Sequence, residues 1–331
     1  MITKENFYYS PINNLSFIDN LIFYSKLILF TVAFALLITL SVLLGKIIPS
    51  IEKWLPVLFH KMLLWLLSVE VEIVGETDQS KKSNLFISNH LSYLDIPILG
   101  SKFPMRFVAK SEVEIWPFFG FLAKNGRSIF IRRNKTDSFN QKNKILDVLS
   151  SGEKVFIFPE GTTSDGNRVL EFKSSSFSSV EKQNFKIQPI VILYSDLNGI
   201  PINRWLRPLI AWYGDMDLKP HLSKLVGLTS IKAKLIFLEP VNTENFENRK
   251  DLSNYLEGRI RKVYSSTLSK KLAFTVVRAW FPPSDVKQDR QVVRPEPCAI
   301  STRASPNHSS DTERSRCFLT YSGTPLSEAR T

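Results

Sequence analysis

The chain has 331 residues, 44% of them hydrophobic, enough to bury a sizeable core in one large domain or two. A formal net charge of +12 points to an anionic partner and leaves nucleic acid, an anionic membrane surface and an acidic substrate all open. The two cysteines, Cys298 and Cys317, exclude a disulfide framework, and no Cys/His cluster has metal-ligand spacing.

Residues 1–20 are polar and expected to be loose. Leu27 to Gly45, "LILFTVAFALLITLSVLLG", carries no charge and is flanked by Lys26 and Lys46. A hydrocarbon core of about 30 Å needs roughly 20 apolar residues of helix. The run therefore predicts a retained membrane helix, since it starts well inside the chain and no cleavage site follows it. Lys46, Lys53, Lys61, Lys81 and Lys82 lie on its C-terminal side, against Lys4 and Lys26 on the other. By the positive-inside rule the domain that follows faces the cytoplasm. Trp54–Leu67 is apolar but short for a span, and contains His60 and Lys61. Two readings stand: an interfacial helix that makes a one-leaflet hairpin with the first, or a cover for the domain core. Residues 21–68 are taken as the membrane-associated part.

From Val69 the pattern changes. "VEVEIV" alternates with period two and predicts a strand with one wet face. Further strands are expected at Leu85–Ser88, Arg106–Val108, Ser128–Ile131, Lys154–Phe158, Ile187–Tyr194 and Lys232–Leu238. Helices are expected at Asp137–Leu149, where Ile145, Val148 and Leu149 share a face, and at Asn248–Leu268, where Leu252, Leu256, Ile260 and Val263 recur at helical spacing. Strands alternating with helices predict an α/β domain with a mixed sheet flanked by helices, over 69–275. From Val276 onward seven arginines and one lysine replace a lysine-rich body, among many Ser, Pro and Thr. That composition cannot fill a core, so 276–331 is expected to be a disordered tail.

The chemistry concentrates in "SNLFISNHLSYLDIP", residues 83–97, where a buried strand ends at Asn89-His90 and Asp95 follows. Five residues of continuous helix turn about 500°, so His90 and Asp95 pair only across a loop. An aspartate on one ring nitrogen fixes the tautomer and leaves the other as a base for an alcohol. In "NGRSIFIRR" a strand delivers Arg132 and Arg133 at its exit, and a guanidinium in a cleft suits phosphate. In "KVFIFPEGTTSDG" a strand stops at Pro159, Gly161 permits a tight turn, and Glu160 is placed to accept from substrate hydroxyls. In "IQPIVILY" Pro189 predicts a strand edge or break.

Together these stretches resemble the glycerolipid acyltransferase family, in particular bacterial 1-acyl-glycerol-3-phosphate acyltransferases. Asn89, His90 and Asp95 match N-H-x-x-x-x-D. Phe130, Ile131 and Arg133 match F-I-x-R. Phe158 to Thr162 match F-P-E-G-T, and Gln188-Pro189-Ile190-Val191 is similar to V-P-V with the first valine replaced. The resemblance covers roughly residues 70–240. Gly126-Arg127 and Arg132 depart from the usual second motif, which puts substrate detail in question. The resemblance implies the glycerolipid acyltransferase fold and direct acyl transfer from a thioester to 1-acyl-glycerol-3-phosphate, giving phosphatidic acid. Another lyso-lipid, such as lyso-ornithine lipid, is the alternative acceptor.

It also implies roles. His90 is the base, Asp95 its orienter, and Arg133 with Arg132 the phosphate clamp. Glu160, Gly161 and Thr162 bind the acceptor, and Pro189 packs beside the acyl site. No metal or bound cofactor is implied; acyl-CoA or acyl carrier protein is the co-substrate. The partners are a lysophospholipid and membrane lipids, not nucleic acid, and the implied location is the bacterial inner membrane, on the cytoplasmic side. Other classes fare worse. No G-x-S-x-G occurs, so a serine hydrolase would lack its nucleophile elbow. Nucleic-acid binding rests on charge alone, with no reading motif. An inactive adaptor is opposed by the intact His/Asp pair.

Overall fold

A computed structural model describes residues 17–44, 49–75, 83–117, 119–132, 138–226 and 228–280. Two helices lead: α1 (Phe17–Leu44) and α2 (Pro49–Leu66). The domain then runs β1 (Val69–Val74), β2 (Leu85–Ser88), α3 (Asp95–Gly100), β3 (Arg106–Lys110), α4 (Phe119–Asn125), β4 (Ile129–Ile131), α5 (Ser138–Ser150) and β5 (Val155–Ile157). It continues with β6 (Lys186–Leu197), β7 (Ile200–Pro201), α6 (Leu218–Val226), β8 (Ile231–Phe237), β9 (Val241–Asn242) and α7 (Arg249–Trp280). All seven strands expected from the sequence are present. The two-residue strands β7 and β9, and the short helices α3, α4 and α6, carry too little periodicity to be read from sequence. The expected domain boundary at 275/276 falls inside α7.

Among the described residues the strands form one mixed sheet in the order β1-β8-β6-β2-β5-β3-β4, with β7 and β9 both paired to β6. β2 lies between β5 and β6, parallel to both. A strand covered on both faces reads as an unbroken apolar run, and all four residues of β2 are buried. Successive side chains point to opposite faces. Phe86, Phe156, Ile190 and Ile192 therefore join a core with α2, α3 and α6. Leu85, Ile87, Val155, Ile157 and Val191 join another with α5 and α7, where Leu252, Leu256, Ile260 and Tyr264 supply one buried helix stripe.

Pro189 sits in β6, inside the sheet, instead of at an edge. The reason is a change of neighbour. β6 pairs with β8 from Ile190↔Phe237 onward and with β9 at Ile187↔Val241. Pro189 falls between the two registers, where its carbonyl accepts from Leu238 N–H at 3.0 Å. The missing N–H thus costs no ladder bond.

α1 begins earlier than the charge-free run, so Lys26, which flanks that run, lies within the helix. The long lysine stem reaches the turn between α2 and β1, where Nζ donates to Ser68 Oγ at 3.0 Å and lies 5.5 Å from the centre of the Trp65 ring. Leu21–Thr39 is long and apolar enough to cross a membrane, and most of its surface is exposed. α2 packs on the domain through Leu63, Leu64 and Leu67. It crosses α3 so closely that a Cβ on Gly100 would fall 2.1 Å from His60 Nδ1. Burial holds His60 down to about 4, so this apolar contact contains a neutral ring at pH 7.

The far edge of the sheet is locked by charge. Arg106, at the start of β3, donates to Glu153 through Nε and Nη2, both at 2.9 Å. Arg127, before β4, adds a third bond at 2.9 Å. The Arg106 hydrogen bonds hold the Glu153 carboxyl down to about 2, against an ordinary 4.5. The folded state therefore favours the carboxylate: its contribution is full above pH 4.5 and is lost as pH falls toward 2. Glu153→Gln should lower stability at pH 7 by about 1–2 kcal/mol. The gap between wild type and variant in denaturant unfolding should shrink to about half or less at pH 3; a gap independent of pH would refute the lock.

Candidate active site

The chain leaves β2 at Ser88 and turns over the carboxyl end of the sheet, beside the end of β5. Open α/β sheets bind ligands at such ends. Asn89 closes the turn by imitating a strand residue. Its Nδ2 donates to Ile192 O and its Oδ1 accepts from Ile192 N–H, both at 2.9 Å. Asn89 is thereby pinned to β6, and His90 is carried clear of the core.

His90 Nδ1 lies 2.8 Å from Asp95 Oδ2. Asp95 is the first residue of α3 and is fully buried. Its Oδ2 also accepts from the N–H groups of Leu91, at 2.8 Å, and Ser92, at 3.0 Å. Its Oδ1 accepts from the Tyr194 hydroxyl at 2.7 Å. Burial, then the Asp95 charge, pushes the Tyr194 hydroxyl well above its ordinary value, so it remains a donor. A carboxylate with these donors holds the ring by Nδ1–H and leaves Nε2 as the acceptor. The imidazole stacks on Phe158, 3.8 Å between centroids and 15° from parallel. Its face is fixed as well as its tautomer.

Of the residues expected from sequence, His90 and Asp95 come together. Gly161, in the left-handed region at φ 65°, and Thr162 line the same cavity. Arg132 lines it as well and is exposed at the end of β4. Arg133 lies outside the described residues. Glu160 is 2% exposed, and its oxygens accept from His90 N–H at 2.7 Å and Leu170 N–H at 3.0 Å. Burial pushes its carboxyl up to about 8 despite those two donors. It joins two loops behind His90. Pro189 is buried in the sheet, where it packs, and is not among the residues lining the cavity. Sequence reasoning missed Tyr194. The only signal was a tyrosine ending a buried strand, whose hydroxyl must find a partner.

The cavity has a volume of about 1400 Å³. Part of it is walled by α1 and α2 through Phe23, Leu27, Phe30, Phe34, Phe59 and Leu63. His90, Arg132 and Thr162 line the same cavity, which thus has polar as well as apolar walls. Such a space takes a molecule with a long apolar chain and a polar head, and brings its hydroxyl to an oriented imidazole.

The family profile described as Acyltransferase matches residues 70–193. The chain is also 36% identical over 273 residues to the lyso-ornithine lipid O-acyltransferase of Rhizobium meliloti (strain 1021), covering 80% of this chain and 87% of that protein. This chain belongs to the acyltransferase family. It is 29% identical over 198 residues to the 1-acyl-sn-glycerol-3-phosphate acyltransferase of Neisseria gonorrhoeae, covering 60% of this chain and 75% of that one. The crystal structure of the 1-acyl-sn-glycerophosphate acyltransferase from Thermotoga maritima shares the fold, with a TM-score of 0.50 and 22% identity over 72% of this chain and 95% of that one. The chain is thus an acyltransferase with a mixed α/β sheet, as the sequence motifs implied.

Within this acyltransferase Glu160 offers a direct check on this geometry. Above pH 8, where the Glu160 carboxyl is ionised, glutamine offers one acceptor oxygen in place of two, so Glu160→Gln leaves one buried N–H unpaired, a cost of about 1–3 kcal/mol. The variant should melt lower and turn over more slowly, with the acceptor KM within about twofold of wild type. A large rise in acceptor KM with unchanged melting would assign Glu160 to the acceptor.

Proposed function

We propose that this acyltransferase moves a fatty acyl group from an acyl thioester, acyl-CoA or acyl carrier protein, to the free hydroxyl of a lyso-lipid, with lyso-ornithine lipid as the acceptor. The observation that carries the reaction is the His90–Asp95 pair at 2.8 Å, with the rest of the imidazole facing an apolar cavity. His90 Nε2 takes the proton of the acceptor hydroxyl as its oxygen attacks the thioester carbonyl. The C–O bond forms, the C–S bond breaks, and His90 returns the proton to the leaving thiolate. Asp95 stabilises the imidazolium between the two steps. No acyl-enzyme is formed.

Arg132 is suited to the acceptor's anionic group, which is a carboxylate in ornithine and a phosphate in 1-acyl-glycerol-3-phosphate; Arg133 is assigned to the same group from sequence. The higher identity and wider coverage of the lyso-ornithine lipid relative favour the first acceptor. Arginine at the second motif keeps 1-acyl-glycerol-3-phosphate as the second reading, with phosphatidic acid as its product. His90→Ala should fold and lower kcat by about 10²–10⁴. Labelled acyl donors offered with both acceptors then name the substrate. Acylated ornithine lipid made only by the wild type supports the main reading. Phosphatidic acid alone selects the second, and full turnover by the variant would overturn the mechanism.

We further propose that α1 and α2 lie in one leaflet on the cytoplasmic side. Phe30 and Phe34, midway along the apolar stretch, pack on Phe59 at 6.0 and 5.1 Å, one residue from the His60 contact with α3. The middle of the stretch is therefore level with the domain, which a perpendicular crossing would draw into the hydrocarbon. The lysine asymmetry supports the side. A cysteine introduced ahead of α1 as Lys4→Cys should be labelled by an impermeant maleimide only from the cytoplasmic face. Labelling from the opposite face would establish a span.

A further inference from the structure

The cavity is lined by more cationic and hydroxyl-bearing residues than the acceptor reading uses. Lys142 on α5 and Lys173 both line it, and neither makes an ion pair with a described residue. Thr162, Thr163, Ser175, Ser176 and Ser178 line the same cavity. None of the five hydroxyls donates to a described residue. Thr162, Lys173 and Ser175 are exposed and meet water.

The segment is nevertheless fixed. Lys173 N–H donates to Pro159 O at 2.9 Å, which ties it to the turn behind His90. Phe177, fully buried, and Val180 anchor its other end in the core shared by β2, β5 and β6. A fixed segment with one lysine and three serines, beside Lys142 of α5 and the Thr162-Thr163 turn around the same cavity, suits an anion with hydrogen-bonding groups beside it.

We propose that Lys142, Lys173 and these hydroxyls bind the phosphopantetheine arm of the acyl donor, with the two lysines at its phosphate. The inference rests on thioester-dependent transfer at His90. The acceptor is a lipid, and the apolar side chains of α1 and α2 along the cavity suit its chain. The donor is water-soluble, and its polar arm suits the exposed Thr162, Lys173 and Ser175 while its thioester reaches His90. Acyl-CoA and acyl carrier protein share this arm, with a phosphate at its far end, part of a diphosphate in CoA and a phosphodiester in the carrier protein, and with two amides and a hydroxyl along it. Lysine ammonium groups suit the phosphate as point charges, and serine and threonine hydroxyls suit the amides. Arg132, on β4, remains with the acceptor.

The test uses the full chain in detergent and the double variant Lys142→Ala/Lys173→Ala. Calorimetry compares 4′-phosphopantetheine with pantetheine, which lacks the phosphate. The wild type should bind the phosphorylated form about tenfold tighter or more, and the variant should lose that preference. Equal binding of both by the wild type, or a preference kept by the variant, would overturn the proposal. In turnover, the variant should raise the KM for phosphate-bearing donors at least about tenfold more than for an acyl pantetheine thioester. A rise for acyl-CoA and acyl carrier protein alike supports a site for the shared arm, and a rise for one names the natural donor. A rise confined to the acceptor KM would assign the lysines to the acceptor and overturn the proposal. A wild type that binds 4′-phosphopantetheine through the lysines but acylates no lyso-lipid would sink the acceptor assignment and keep this site.

Discussion

A carboxylate with no exposed surface is the constraint on which this molecule turns. Removing the Asp95 charge from water costs several kcal/mol unless donors replace the solvent. Four do so: the His90 ring, the N–H groups of Leu91 and Ser92, and the Tyr194 hydroxyl. Three belong to the loop that Asp95 itself closes, and the fourth arrives from β6. The base is held in one tautomer because the aspartate is satisfied only when all of these groups converge. The side chain that orients the chemistry is thus also the one that shapes the loop.

That loop depends in turn on the strands beneath it. β2 has only four residues, and a strand so short is defined by its neighbours. β5 and β6 flank it in parallel, Asn89 extends its pairing to Ile192 by side-chain bonds, and Glu160 ties the His90 N–H to the turn after β5. Phe158, at the end of β5, supplies the surface on which the imidazole lies. The F-P-E-G-T stretch therefore serves mainly as a brace, and its glycine and threonine, not its glutamate, face the cavity.

The same segment links the loop to the helical pair. Asp95 begins α3, and Gly100 ends it at the crossing with α2. Within the span from His90 to Gly100 the chain thus passes from the histidine to the contact with α2. Apolar side chains of α1 and α2 line the same cavity as His90, and exposed loop residues line it too.

Sequence by itself determined the strands, the main helices, the pairing of His90 with Asp95 and the family. Period-two and period-3.6 patterns are local, and motif spacing survives without a structure. It also exposed the apolar helix, since a run without charge is visible from composition. Tertiary structure decided the rest, because the deciding contacts join residues far apart in the chain. Nothing local marks Tyr194 as a partner of Asp95, separated by 99 positions. Pro189 predicts an edge locally, yet sits inside the sheet because β6 changes partners there. Glu160 has the composition of a binding residue and the burial of a structural one. Lys26, a flank of the apolar run in sequence, lies within α1 and reaches Ser68 and the Trp65 ring at the end of α2. In each case the residue type set what the side chain was able to do, and the neighbours brought by folding selected which of those things it does.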